Sequence, residues 1–142
     1  MILLDTNVVS EPLKPAPNPD VLAWLDAQPL ETLYLSTIAL AELRFGIAAL
    51  PEGKRKERLA QSLARQILPL FDDRVLPFDA AATIAYAEIR GKALAAGKSL
   101  GMADACIAAI AAVHGLIVAT RDTRPFLAAG LKVINPWDAS GK

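Results

Sequence analysis

Apolar residues fall into short continuous runs, separated by longer stretches in which apolar positions recur at helical spacing. The short runs predict five strands, at residues 1–4, 33–36, 75–78, 116–119 and 132–134. The longer stretches predict helices at residues 19–27, 37–50, 53–68, 79–96, 101–114 and 122–128. Strands that alternate with helices are typical of an α/β fold with a parallel sheet. No repeat or linker divides the chain, so we predict a single domain over residues 1–142.

Particular residues mark where the predicted elements begin and end. Ser36 or Thr37 is suited to cap the helix that follows the second strand. Gly115, directly after His114, indicates a helix C-terminus, and His114 is interpreted as a cation at that helix end. The segment at residues 11–19 contains four prolines. We predict an ordered loop there, and neither a helix nor a strand.

Composition and charge narrow the class of protein. Hydrophobic residues make up 54% of the chain and the mean hydropathy is +0.34, so much of it is expected to lie in a core or an interface. The 15 basic residues balance 15 acidic ones, so contact with nucleic acid would require a local basic patch. The single cysteine, Cys106, excludes an internal disulfide. Without a signal peptide or a membrane span, the protein is expected to be cytoplasmic.

Four carboxylates stand next to apolar residues. Asp5 ends the first predicted strand, and Asp122 follows the fourth. Glu42 and Asp104 lie on predicted helices, where their neighbours on the same face are apolar. A carboxylate on an apolar face is costly unless it is paired or binds a metal ion. The four positions therefore indicate a divalent cation.

The predicted topology brings these acids to one place. Ligands bind outside the carboxyl ends of the strands in an open parallel sheet. Asp5 and Asp122 project from that edge, and the helices that carry Glu42 and Asp104 begin there. Each acid also has a structural interpretation, as a helix cap or as a partner of a helix dipole. One shared metal site accounts for all four.

The chemistry expected of such a site follows from its ligands. An all-oxygen site favours Mg²⁺ or Mn²⁺ over zinc. Water bound to such an ion can hydrolyse a phosphodiester, while the ion neutralises charge on the phosphate oxygens. Hydrogen bonds that orient the acids are expected from Thr6, Asn7 and Thr120. Arg121 and Arg124 flank Asp122 and are candidates for binding the substrate backbone or for pairing with the acids.

Other candidate sites have weaker support. Cys106 and His114 are eight residues apart, which is about 12 Å along a helix and too far for a nucleophile and its base. Residues 97–99 resemble the end of a phosphate-binding loop, but five residues instead of four follow the preceding glycine. The basic run at residues 54–58 is interpreted as a solvated helix face, with phosphate contact as the alternative.

The residues around the four acids resemble the four signatures of PIN-domain ribonucleases. The matching segments are Leu3-Leu4-Asp5-Thr6-Asn7, Ala41-Glu42-Leu43-Arg44 with Gly46, Met102-Ala103-Asp104-Ala105 with Ile107 and Ala108, and Ala119-Thr120-Arg121-Asp122-Thr123. Their spacing and the closing Asn135-Pro136-Trp137 are most similar to the VapC/FitB branch of bacterial toxins. The resemblance covers essentially the whole chain, and all four acidic positions match.

This resemblance implies a three-layer α/β/α sandwich around a five-stranded parallel sheet of order 3-2-1-4-5. It also implies a Mg²⁺- or Mn²⁺-dependent endoribonuclease that is the toxin of a type II toxin–antitoxin system. Asp5, Glu42, Asp104 and Asp122 would be the catalytic acids, with Asp5 and Asp104 as direct metal ligands. The expected partners are RNA, a small DNA-binding antitoxin and a second copy of the chain. Neither a membrane nor DNA is expected to bind the protein directly.

Two other functions remain open on the sequence. The chain could serve as a non-enzymatic corepressor subunit of an antitoxin–DNA complex, which a nuclease assay with and without EDTA would distinguish. Alternatively, Asp5 could be the nucleophile of a phosphohydrolase that acts on small phosphate esters. That class resembles Asp-x-Asp-x-Thr after the first strand, and here Asn7 takes the place of the second acid.

Overall fold

A computed structural model describes residues 1–138. Its strands form one parallel sheet of order 3-2-1-4-5, as expected. The strands are Ile2–Leu4 (β1), Leu33–Ser36 (β2), Val75–Leu76 (β3), Ile117–Ala119 (β4) and Val133–Ile134 (β5). The α-helices are Thr6–Ser10 (α1), Pro19–Ala27 (α2), Thr37–Ala48 (α3), Lys54–Ser62 (α4), Leu68–Phe71 (α5), Ala80–Ala95 (α6), Met102–His114 (α7) and Arg124–Ala128 (α8).

Helices cover both faces of the sheet, which confirms the three-layer α/β/α architecture. Strand β1 lies between β2 and β4, with Ile2 in register with both Leu33 and Ile117. Ile2 and Leu4 point to one face, where they pack with residues of α1, α3 and α5. Leu3 points to the other face and packs with residues of α6, α7 and α8. Both faces of β1 are therefore buried, as its uninterrupted apolar run predicts.

Single residues mark the start of α3 and the end of α7, as the sequence predicts. The Ser36 hydroxyl accepts a hydrogen bond of 3.0 Å from the Ala39 N–H and caps α3, as predicted. Gly115 adopts a left-handed conformation with φ 65° and ends α7, also as predicted. Helices α1 and α3 begin directly after β1 and β2, at the carboxyl edge of the sheet. Helix α7 follows α6, and the effect of the Asp5 charge on Asp104 indicates that its first turn lies near the same edge.

Some of the predicted boundaries are wrong. The predicted helix at residues 53–68 contains a π-helical turn, Leu63–Ile67, and then continues as α5. Pro69 explains this, because it has no N–H to donate to the carbonyl four residues earlier. Strand β3 stops before Pro77 for the same reason. Helix α1 was expected only in the alternative in which Asp5 caps a helix that starts at Thr6. The 3₁₀ turns Leu30–Thr32 and Glu11–Leu13 were not predicted, and the second lies in the predicted loop.

Among residues 1–138, the helices are all too short or too polar to cross a membrane.

Candidate active site

Asp5 is the buried centre of the candidate site, with 5% of its surface exposed. Its N–H extends the sheet by donating to the Ala119 carbonyl at 2.9 Å. One carboxylate oxygen, Oδ1, accepts from the Thr6 N–H at 2.8 Å, and the other, Oδ2, accepts from the Thr120 hydroxyl at 2.8 Å. No ion pair among residues 1–138 includes Asp5. Within residues 1–138, the Asp5 carboxylate therefore accepts hydrogen bonds from neutral donors and is not neutralised by a cation.

The helix-cap interpretation of Asp5 is correct but incomplete. The hydrogen bond to the Thr6 N–H does cap α1. Nevertheless, burial raises the pKa of Asp5 despite the opposing hydrogen bonds from Thr120 and Thr6, and the charges of Glu42 and Asp122 raise it further. A cap that served stability alone would not need to bury a charge close to other acids.

Asp104 lies in the first turn of α7 and is half-buried. Burial is the main cause that raises its pKa to about 6, and the charges of Asp5, Asp122 and Glu42 add to the shift in that order. The charges of the other three acids therefore act on Asp104, and the four lie on two helices, α3 and α7, and after two strands, β1 and β4. A cation among them would relieve this repulsion.

Glu42 and Asp122 differ from the expectation, because both are exposed to solvent. Glu42 lies on α3 beside Phe45, which is 73% exposed, so the part of that helix face from Glu42 onward is not covered, although Ala39 one turn earlier is buried. The Thr6 hydroxyl donates to Glu42 Oε1 at 2.5 Å, which confirms the predicted contact between Thr6 and an acid. Asp5 is therefore buried and Asp104 partly buried, as expected, whereas the expected burial of Glu42 and Asp122 is wrong.

Thr120 connects two of the acids. Its buried hydroxyl donates to Asp5 Oδ2 and accepts from the Asp122 N–H at 3.0 Å, so it holds both residues in relation to each other. This confirms the expected hydrogen bond. Asn7 behaves differently, because its Oδ1 accepts a long bond of 3.4 Å from the Arg121 N–H. This bond is made to the backbone just before Asp122. Within residues 1–138, no hydrogen bond joins the Asn7 side chain to one of the four acids, which differs from the expectation.

The donor atoms fit a hard cation held mainly through water. Carboxylate and hydroxyl oxygens are the groups that Mg²⁺ and Mn²⁺ prefer. Within residues 1–138, no three acidic, histidine or cysteine side chains stand close enough together to ligate one ion directly. Mg²⁺ is usually bound through one or two carboxylates and keeps several waters. The arrangement suits such an ion at Asp5 and Asp104.

The two flanking arginines lie on different sides of the acids. Arg121 stacks over the Trp137 ring at 5.3 Å, and its charge helps to lower the pKa of Glu11. Arg124, at the start of α8, lines a cleft that also includes Asp104 and Asp122. Neither arginine forms an ion pair with one of the four acids.

This cleft has a volume of about 970 Å³ and lies between α6, α7 and α8. Besides Arg124, its walls carry Lys92 near the end of α6 and Lys98 in the loop before α7. Neither lysine was predicted from the sequence to be a site residue. The available signal was a pair of cations shortly before the helix that carries Asp104.

The remaining candidates are structural. Cys106 is buried in the core, which raises its pKa, and His114 is exposed at the end of α7, as expected. In the basic run at residues 54–58, Lys56 bonds Glu52 at 2.6 Å and the Ala48 carbonyl at 3.2 Å. Lys56 is therefore occupied within its own helix hairpin.

Comparison with known proteins places this geometry in a family. The sequence profile of the PIN domain matches residues 2–131. The chain is 61% identical to the plasmid stability protein StbB of Pseudomonas syringae pv. tomato, covering 98% of this chain and all of that protein. It is 56% identical to the VapC ribonuclease Y4jK of Sinorhizobium fredii, with 97% of this chain and 99% of that protein covered.

Similarity extends to a toxin and to a solved structure. Toxin FitB of Neisseria gonorrhoeae is 56% identical, with 96% of this chain and 99% of that protein covered. The structure of FitAB bound to the IR36 DNA fragment superposes with a TM-score of 0.93 at 53% identity, covering 96% of each chain.

Proposed function

The chain belongs to the PIN-domain family, in the VapC/FitB branch, and we propose that it is a Mg²⁺- or Mn²⁺-dependent endoribonuclease. We propose further that it is the toxin of a type II toxin–antitoxin system. The observation that carries the proposal is the buried Asp5 carboxylate, which lacks a cationic partner among residues 1–138 and is close to three other acids. The name of the relative Y4jK supports RNA as the substrate.

In this proposal the four acids have two different roles. Asp5 and Asp104 would hold the ion. When bound, the ion would neutralise charge on the phosphate oxygens and lower the pKa of a water molecule. Thr120 keeps the Asp5 carboxylate in one orientation through its hydroxyl. Glu42 and Asp122 are exposed beside them and are available to accept a proton as general bases.

A cleavage assay on a circular single-stranded RNA tests the proposal. An endonuclease linearises a circle, whereas an exonuclease cannot begin on one. The purified protein should cleave the circle with added Mg²⁺ or Mn²⁺ and stop when EDTA is in excess. An intact circle in the presence of both metals would reject the proposed activity, and cleavage that continues in EDTA would reject metal dependence.

A second function is favoured by the relative whose solved structure contains DNA. FitAB is bound to a DNA fragment in that structure, so a chain of this fold can form part of a DNA-bound assembly. In this alternative, the chain serves as a corepressor subunit and its acids are not catalytic. The nuclease assay with and without EDTA distinguishes the two functions, together with Asp5→Asn. A ribonuclease would cleave RNA and lose that activity in Asp5→Asn, whereas a corepressor alone would not cleave RNA in either form and would keep its DNA binding with the antitoxin.

The proposed partners are a small DNA-binding antitoxin and a second copy of the chain, in the cytoplasm. Large apolar side chains remain exposed on two separate helices, Phe45 at 73% on α3 and Leu94 at 80% on α6. Exposed apolar surface of this kind is typical of interfaces. Co-purification with the neighbouring gene product and light scattering of the free protein would test the two partners separately.

A further inference from the structure

Three cationic side chains line the cleft beside the acids and make no ion pair or side-chain hydrogen bond within residues 1–138. Lys92, Lys98 and Arg124 are all exposed and line the cleft together. No ion pair or hydrogen bond within residues 1–138 involves the side chain of any of the three. They also leave Asp104 and Asp122 unpaired, although both acids lie on the same cleft. The three cations are therefore available to an anionic ligand.

The rest of the cleft indicates which part of such a ligand makes contact. Its lining contains no aromatic side chain among the described residues. Small or aliphatic residues form the floor, including Ala93, Ala128 and Leu127. Bases of single-stranded nucleic acids are usually held by stacking on aromatic rings. A cleft with cations and without rings is suited to phosphates and not to bases.

Size and position point to the same ligand. A volume of about 970 Å³ is at the upper end of the range of roughly 300–1,000 Å³ found for ligand pockets. The cleft opens directly on Asp104 and Asp122, so a chain of phosphates lying in it would continue into the acidic site. A free mononucleotide would not need cations on both α6 and α8.

We propose that Lys92 and Lys98, together with Arg124, bind successive phosphates of single-stranded RNA and lead the strand into the acidic site from the α6–α8 side. This rests on the proposed ribonuclease function and adds to it the path of the substrate. Because only phosphates are contacted, the cleft should contribute affinity with little preference for base sequence.

Fluorescence anisotropy with labelled single-stranded RNA in EDTA measures binding without cleavage. The variant Lys92→Gln/Lys98→Gln should bind roughly five- to thirtyfold more weakly at low salt. The slope of log affinity against log salt should fall by about 1.4, since each phosphate contact to a single strand contributes about 0.7. Oligo(A) and oligo(U) should lose affinity equally. The matched control is Arg65→Gln/Lys132→Gln, which removes the same charge from exposed positions outside both the cleft and the basic run at residues 54–58.

Every outcome of the binding measurement either supports or overturns the proposed role of the cleft. A loss confined to the cleft variant, with the control at wild-type affinity, supports it. An equal loss in both variants, no loss in either, or no RNA binding by the wild type would overturn it. Cleavage of the circular RNA is scored separately, so the cleft can be rejected while the wild type still cleaves. Conversely, RNA binding that depends on the cleft without any cleavage would reject the ribonuclease and retain the cleft.

Discussion

Asp5 and Glu11 are two nearly inaccessible carboxylates in the same short segment, with 5% and 3% of their surfaces exposed. Their surroundings shift their pKa values in opposite directions. The contact of Glu11 with Lys14 at 2.9 Å and the hydrogen bond of 2.8 Å from the Asn18 N–H lower its pKa. Burial and neighbouring acids raise the pKa of Asp5. Low exposure alone therefore does not distinguish a structural carboxylate from a functional one.

The difference arises from what covers each side chain. Glu11 is enclosed by its own proline-rich loop, which also supplies its cation and its N–H donor. Its Oε1 makes no hydrogen bond within residues 1–138, so the ion pair with Lys14 alone meets that atom's charge. Asp5 is enclosed by the sheet edge, where the nearest charges are other acids from distant parts of the chain. The fold itself supplies a cation, Lys14, for the charge of Glu11. The charge of Asp5 is neutralised only if a cation binds.

The largest expected effect concerns activity. Asp5→Asn should reduce RNA cleavage by at least ~10²-fold, because a metal site contributes several kcal/mol to the transition state. Glu11→Gln is the matched control and should retain activity within a few fold, since Glu11 supports a loop. Single-turnover cleavage rates in saturating Mg²⁺, with circular dichroism to verify folding, measure both. Similar cleavage rates for Asp5→Asn and Glu11→Gln would contradict the conclusion that Asp5 is functional and Glu11 is structural.

A smaller effect is expected from the group that orients Asp5. Thr120→Val removes the hydroxyl from Asp5 Oδ2 and from the Asp122 N–H at nearly constant volume. Cleavage should slow by roughly tenfold or somewhat more, as is usual for a group that supports a metal ligand. Thr120→Ser restores the hydroxyl and should recover most of the rate. Failure of Ser to recover activity would show that the methyl group matters instead.

Stability in the absence of metal should respond by about 1 kcal/mol. Asp104→Asn removes one of four repelling charges, so its melting temperature in EDTA should exceed that of the wild type. Titrated Mg²⁺ or Mn²⁺ should stabilise the wild type with the logarithm of its concentration and stabilise the variant much less. A variant less stable than the wild type in EDTA, together with a wild type that does not respond to metal, would identify the acids as helix caps.

The smallest effects should appear in the pH dependence of the free energy of unfolding in EDTA. Folding raises the pKa of Asp104 from 3.8 to about 6, so this group makes the protein less stable as pH rises through that interval. Folding lowers the pKa of Glu11 from 4.5, so its contribution is present above that value and is lost on acidification. Each slope should amount to a few tenths of a kcal/mol per pH unit, given partial solvent screening.

Urea denaturation across pH 3.5 to 7 separates these two contributions. Asp104→Asn should reduce the decline between about pH 4 and pH 6, leaving the part that is due to Asp5, and should leave the acid limb unchanged. Glu11→Gln should flatten the acid limb alone. Slopes of the same sign for the two residues would contradict the opposite directions of their pKa shifts.

Much of the fold was predictable because its signals are local. Continuous apolar runs place all five strands to within two residues at each end, and single residues such as Ser36 and Gly115 mark the ends of helices. Each of these signals is read from a few neighbouring residues, whose backbone preferences hold in any context. The four acids were identified from their apolar neighbours and from their places after strands or on helices. The order of the strands came only from the resemblance to a family.

Other features were visible only in the tertiary structure, because they depend on which distant segments pack against one another. The sequence places apolar neighbours around Glu42, but only the packing shows that Ala39 is buried while Glu42 and Phe45 on the same face are exposed. Glu11 reads as a polar loop residue until the loop encloses it with Lys14. Lys92 and Lys98 share a cleft with Asp104 because α6 and the loop after it pack beside α7 and α8. Periodicity describes one element at a time, whereas exposure, pairing of charges and cleft walls are properties of several elements together.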